Sequence, residues 1–150
     1  MKKYQFRLES YLRIKKFGEE IVKQELGLLY KELSELELDI LNLDKKISEG
    51  YKSLDEVTQG GIQGEMLQFY PRFISGLKED LTNKDNLKFA LEKKIESKKK
   101  ELASARGDVK VIENMKTKDK NSYKKKVLKK EQEEIEEMLQ IRRANKESFL

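Results

Sequence analysis

The sequence contains no cysteine, no histidine and a single proline in 150 residues. Without cysteine there is no disulfide framework, no thiol nucleophile and no cysteine-based zinc site, and nothing points to an oxidising compartment. Without histidine as well, the commonest general-base and metal-ligand arrangements are missing. Long apolar runs are also lacking. None approaches the roughly 18 residues a membrane span needs, and the opening Met1-Lys2-Lys3-Tyr4 leads into charged sequence instead of an apolar signal segment, so the cytoplasm is the expected compartment. Catalysis by carboxylates alone has no support: Glu133 and Glu137 lie four apart on one helix face, as a solvated face places them. The glycines at Gly60, Gly61 and Gly64 precede no Gly-Lys-Ser or Gly-Lys-Thr and make no phosphate loop. No catalytic residue, cofactor or metal site is expected.

What is abundant is charge. Charged residues make up 41% of the chain, and Lys and Arg exceed Asp and Glu by 33 to 28, a net charge of +5. That composition, with almost no proline, fits one domain of long helices better than an ordinary globule, and the modest positive excess favours acidic partners without naming one.

The apolar residues then fix the pattern. Val22, Leu26, Leu29, Leu33, Leu36, Ile40, Leu43 and Ile47 alternate steps of four and three, with Leu54 following a gap at Gly50. Backwards, the same seam reaches Leu12 and Leu8 but meets Lys15 and Glu19, so the amino-terminal zipper is weaker, with Ile14, Ile21 and Leu28 as a flanking stripe. Three glycines between Val57 and Gly64 mark a reversal. A helix of about 50 residues is about 75 Å long, too long for a compact globule, and a hairpin solves the problem. A second seam runs through Tyr70, Ile74, Leu77, Leu81, Lys84, Lys88, Leu91, Ile95, Lys98, Leu102, Ala105, Val109 and Ile112, after a kink or a short separate turn at Pro71.

The expected fold is therefore all-α: two long helices in an antiparallel coiled-coil hairpin over 1–150. Helix one spans about 5–55, the turn about 57–64 and helix two about 65–145. Helix one reaches helix two only to about residue 115, leaving roughly 30 residues, about 45 Å, projecting past it. In this overhang the seam positions fall on Lys116, Asp119 and Tyr123, and Val127, Leu128, Ile135, Met138 and Leu139 are sparse. Lysines at Lys124 to Lys126, Lys129 and Lys130 give way to Glu131, Glu133, Glu134, Glu136 and Glu137, a basic collar and then an acidic one. Such an order suits a shaft seated in a charged protein opening, or equally a lone helix kept soluble by pairs at spacing four. Near the turn, Met66, Phe69, Tyr70, Phe73 and Leu77 either close the hairpin end against Tyr51, Leu54 and Val57 or present Phe69 and Phe73 to a partner.

Several islands of sequence carry a resemblance: Tyr4-Gln5-Phe6-Arg7-Leu8-Glu9; Phe69-Tyr70-Pro71-Arg72-Phe73-Ile74 with Leu77; Lys110-Val111-Ile112-Glu113-Asn114-Met115-Lys116; Tyr123; and Glu131-Gln132-Glu133-Glu134-Ile135-Glu136-Glu137. In order, spacing and overall length they resemble the FliJ family of flagellar type III export proteins. The resemblance implies a stalk-like antiparallel coiled coil, similar to the central stalk of rotary ATPases. It implies no enzyme activity and no cofactor. Its tip would enter the ring of the hexameric export ATPase and promote ring assembly and activity, and it would also contact the cytoplasmic domain of the export gate and export chaperones. By position, the ATPase-facing residues would be Tyr4, Phe6, Arg7, Tyr123, Lys130, Glu131, Gln132 and Glu134, and the gate-facing residues Phe69, Phe73 and Leu77. The resemblance further implies a monomer in the cytoplasm, peripheral to the inner membrane at the flagellar base through its partners, with no nucleic acid bound. The residues alone also allow a scaffold or tether that dimerises through a parallel coiled coil, or a basic nucleic-acid-binding hairpin. The glycine-rich turn counts against the first, and the weak net charge with no interleaved aromatics counts against the second.

Overall fold

The computed structural model describes residues 3–61 and 64–148, apart from the side chains at 65 and 66. Two helices pack against each other in an antiparallel hairpin: α1 over Glu9–Gln59, of 51 residues, and the longer α2 over Gly64–Ser148, of 85 residues. Long charged helices are marginal on propensity alone, so the buried stripe between them supplies most of their stability. Among the described residues, no helix is long and apolar enough to cross a membrane.

By spatial contact the chain forms two compact units, Met1–Glu19 with Ser104–Leu150, and Glu20–Ala103. In the Glu20–Ala103 unit the α1 residues withdrawn from solvent recur at Val22, Leu26, Leu29, Leu33, Leu36, Ile40, Leu43, Ile47, Gly50, Leu54 and Val57. Gly50 is therefore not a gap in the seam but a buried member of it. A β-carbon there would stand 3.1 Å from Ile74 Cγ1, so the missing side chain is replaced by the isoleucine reaching across from α2. The core of this unit centres on Leu26, Ile95 and Leu102, with Val22, Leu29, Leu33 and Leu91 packed around them.

Three α2 seam positions in the same unit are lysines, each half-buried and each matched by a carboxylate on α1. Lys84 pairs with Asp39 at 3.7 Å and Lys88 with Glu37 at 3.8 Å, while Lys98 reaches both Glu25 and Glu101. The hydrogen bond to Glu25, followed by that to Glu101, raises the Lys98 ammonium above its ordinary range. The long stems cover the seam while the charged ends stay near water. This is how α2 keeps its register through polar positions.

Gly60 donates its N–H to the Glu56 carbonyl at 3.1 Å, and Gly61, with φ of +68°, takes the left-handed conformation that stops a helix and that only glycine adopts freely. The expected turn includes Ile62 and Gln63, which lie outside the described residues. Pro71 sits inside α2, which runs from Gly64 through it, so no short separate turn precedes it. Falling in the third turn, it removes one backbone donor without ending the helix.

In the unit of Met1–Glu19 with Ser104–Leu150, the seam passes through Leu8, Leu12, Lys15 and Glu19 on the amino-terminal side. Its core is small: Leu12, only 1% exposed, with Val109 and Ile112, and Phe6 packed against them. Glu19 answers Arg106 at 3.4 Å and Lys16 answers Glu113 at 3.3 Å, both near the surface. Exposed pairs of this kind contribute roughly 0–1 kcal/mol each. The apolar trio therefore carries this contact.

Candidate functional site

Within that same unit, residues 3–8 lead into α1 without helical structure and lie along α2. The Phe6 carbonyl accepts the Glu9 N–H at 3.2 Å, which turns the chain into the helix. Glu9, the first residue of α1, is bonded by the Lys116 ammonium at 2.7 Å. That hydrogen bond, reinforced by Arg13 and Lys16 nearby, holds the Glu9 carboxyl below its ordinary value of 4.5. The helical part of the amino-terminal segment thus covers α2 as far as Lys116.

The leader carries the cover further. The Tyr4 hydroxyl lies 2.9 Å from Asp119 Oδ2, to which it donates, and 3.4 Å from the Lys116 carbonyl. Its ring packs on Tyr123 with centroids 5.3 Å apart, tilted by 47°. Partial burial, and then the hydrogen bond to Asp119, raise the Tyr4 phenol above its ordinary value of 10.0. Clefts of about 560 and 490 Å³ flank Tyr4 on its two sides, the first bounded by Lys3, Asp119, Tyr123 and Lys126 and the second by Glu9, Arg13 and Lys116.

Of the candidate ATPase-facing residues, Tyr4 and Tyr123 pack on each other, and Phe6 packs on the core of Leu12, Val109 and Ile112. Arg7 is exposed, and Lys130, Glu131, Gln132 and Glu134 stand exposed on α2, more than a turn past the last contact with the leader. From Lys124 to Ser148 every residue is exposed except Val127, which is half-buried. That stretch is roughly 25 residues, about 37 Å of helix. Its apolar residues no longer follow the seam. Leu128, Ile135 and Leu139, at 64%, 58% and 49% exposure, share one face by their spacing of seven and four. The spacing of the stripe was readable; the role of Asp119 depends on where the non-helical leader falls, which no periodicity encodes.

In the Glu20–Ala103 unit, the gate-facing candidates divide by exposure. Phe69 and Phe73 are exposed, at 60% and 45%, and stack with centroids 5.8 Å apart and planes 11° apart. Phe69 also meets Tyr70 edge-on at 5.6 Å. Tyr70 and Leu77 are half-buried in the seam on either side of buried Ile74. On α1, exposed Tyr51 holds Lys78 Nζ over its ring at 5.0 Å. The two phenylalanines thus make a small aromatic plate beside the seam and not in it. The side chain of Met66 lies outside the described residues.

Among the described residues, no group of three or more acidic side chains is arranged to hold a metal ion. What the two surfaces offer is contact: a bare helix end with an apolar stripe between charged blocks, and a stacked aromatic plate. The model of the family described as "Flagellar FliJ protein" matches residues 4–148, nearly the whole chain. No curated protein and no solved structure matches.

Proposed function

This chain belongs to the flagellar FliJ protein family and is thus a component of flagellar type III protein export; from that premise we propose that it serves as the stalk of the export ATPase. In this reading the bare end of α2 enters the ATPase ring, favours its assembly and raises its ATP hydrolysis. The aromatic plate at Phe69 and Phe73 contacts the cytoplasmic domain of the export gate, so that one chain links the two and meets export chaperones. The location follows the partners, in the cytoplasm at the flagellar base. In this reading the ATPase supplies the catalysis, and the family is one of non-catalytic export components.

One observation carries the reading: α2 continues past Tyr123 for roughly 25 residues with almost no residue covered. Over that length the helix has no packing to stabilise it, so its order rests on helix propensity and on charge pairs at spacing four alone. Its leucines and isoleucine at 128, 135 and 139 give no benefit to a chain that keeps them in water. A binding partner accounts for both.

The test is truncation after Val127, which leaves Tyr4, Asp119 and Tyr123 in place. Added to the export ATPase, the full chain should raise ring assembly and hydrolysis, and the truncated chain should not, while its melting temperature stays close to that of the full chain. Equal stimulation by both chains would remove the stalk from this helix end and leave a tether as the better description.

A further inference from the structure

The Glu20–Ala103 unit carries a second surface that the stalk reading does not use. On one side of the seam, Glu32, Glu35 and Asp39 of α1 face Leu87 of α2 across a groove of about 300 Å³ floored by Leu36 and Leu91. Leu87 is 56% exposed. Leu28, one turn before Glu32 on α1, extends the apolar wall and is 63% exposed. A further depression, sharing Asp39, continues along Asn42, Leu43 and Lys46 of α1 with Asp80 and Lys84 of α2, so the acidic part of the surface is the stretch from Glu32 to Asp39.

Two features give this groove a chemistry. The first is unspent negative charge: Asp39 is answered by Lys84 at 3.7 Å, but among the described residues no ion pair engages Glu32 or Glu35. The lining of this groove thus holds three carboxylates and three leucines and no cation of its own. The second is shape. The groove follows the helix axes from Glu32 to Asp39, about 10 Å or two helical turns, and the depression beyond it carries the line on to Lys46, about 21 Å in all. A third helix laid between two others is the packing that such a groove accepts, with anchors at i, i+3, i+4 and i+7 pointing to its floor.

We propose that this groove docks a basic amphipathic helix of a partner protein, its apolar stripe on Leu36, Leu87 and Leu91 and its lysines or arginines on Glu32 and Glu35. The carboxylates set the sign of the partner and its direction of approach, and the leucines supply the area removed from water. A strongly acidic helix is repelled, and a basic helix without an apolar face finds only screened surface charges. The site is separate in sequence from both surfaces used in the stalk reading, and it stands or falls independently of them.

The experiment uses the full chain and a fluorescein-labelled synthetic helix of about 15 residues, with leucines on one face and lysines flanking them. Two controls accompany it, one with the same composition but the leucines scattered round the helix, and one with glutamates for the lysines. Anisotropy should show saturable binding of the first peptide, at least about tenfold weaker binding of the scattered one and none of the acidic one. The triple variant E32Q, E35Q and L87S should weaken binding at least about tenfold with helicity and melting unchanged, since all three side chains are exposed. The variant E133Q and E137Q, equal in charge removed but on the bare end of α2, should bind as the parent does. Equal binding of both lysine peptides, or equal loss in the two variants, overturns the proposal in favour of unspecific charge attraction. Concentration-dependent self-association in sedimentation that disappears in the triple variant overturns it in favour of a second copy of this chain.

Discussion

At the scale of single residues, the leader is held by groups that titrate at opposite ends of the pH range. Glu9 has its carboxyl lowered by Lys116, so its contribution favours the folded state above 4.5 and is lost as pH falls below that value through the folded pKa. Tyr4 has its phenol raised, so its contribution is complete below 10.0 and is lost as pH rises through the higher folded value. Acidification through and below 4.5 should therefore loosen residues 4–12 while the core at Leu26, Ile95 and Leu102 stays protected. Amide exchange or resonance shifts followed across an acid titration check this, and Glu9→Gln should remove most of the pH dependence in that range. A loosening that is the same in parent and variant would assign it to other groups. The Tyr4 contact is beyond reach of the sequence, because periodicity stops at Leu8 and the four residues before it follow no repeat, and the partner of Glu9 is found only with the helices paired. Gly50 was misread for the opposite reason: its place in the repeat was plain, but an absent side chain gives no sign that Ile74 fills its space.

At the scale of elements, the two seams were nearly complete in the sequence, since a repeat of alternating fours and threes has only one narrow face to bury. The seam lysines Lys84, Lys88 and Lys98 fell at their places in that count, although their partners Asp39, Glu37 and Glu25 could be found only with the helices paired. The aromatic plate was legible in part. Helical spacing separates Phe69 and Phe73 from Tyr70 and Leu77, but only the packed helices decide that the phenylalanines face solvent. This division sets a prediction. Phe69→Ser with Phe73→Ser should change stability by less than about 1 kcal/mol, because both rings are exposed. Leu77→Ala should cost about 1–2 kcal/mol, less than the 2–5 of a fully buried leucine. If the plate is the gate contact, the double serine variant should lose binding to the gate's cytoplasmic domain about tenfold with an unchanged melting curve. A large fall in its melting temperature would make the rings part of the fold instead.

At the scale of the whole molecule, the chain has two small cores of unequal quality. One, around Leu26, Ile95 and Leu102, is backed by four further apolar side chains, whereas the other is Leu12, Val109 and Ile112 with Phe6. The amino-terminal seam also spends two positions on Lys15 and Glu19. Local opening should therefore come first where the apolar core is thinnest. Hydrogen exchange should show α1 amides near residues 12–19 exchanging at least about tenfold faster than those near 26–47, and Leu12→Ala should accelerate the first set alone. Uniform protection along α1 would mean that the surface ion pairs at Lys16 and Glu19 hold more than such pairs usually do.

The bond from Tyr4 to Asp119 joins residues 115 apart in the chain, whereas Ile74 meets Gly50 only a short way across the turn. During synthesis at about 5–20 residues per second, Tyr4 leaves the ribosome on the order of ten seconds before its acceptor exists. The contacts nearest the turn close first, because short loops cost less entropy, and pairing proceeds outward from there. Tyr4, Phe6 and Leu12 are thus made well before the α2 residues that cover them. For that interval Phe6 and Leu12 lack the α2 side chains that cover them, and a factor that guards the newborn chain finds that stretch bare.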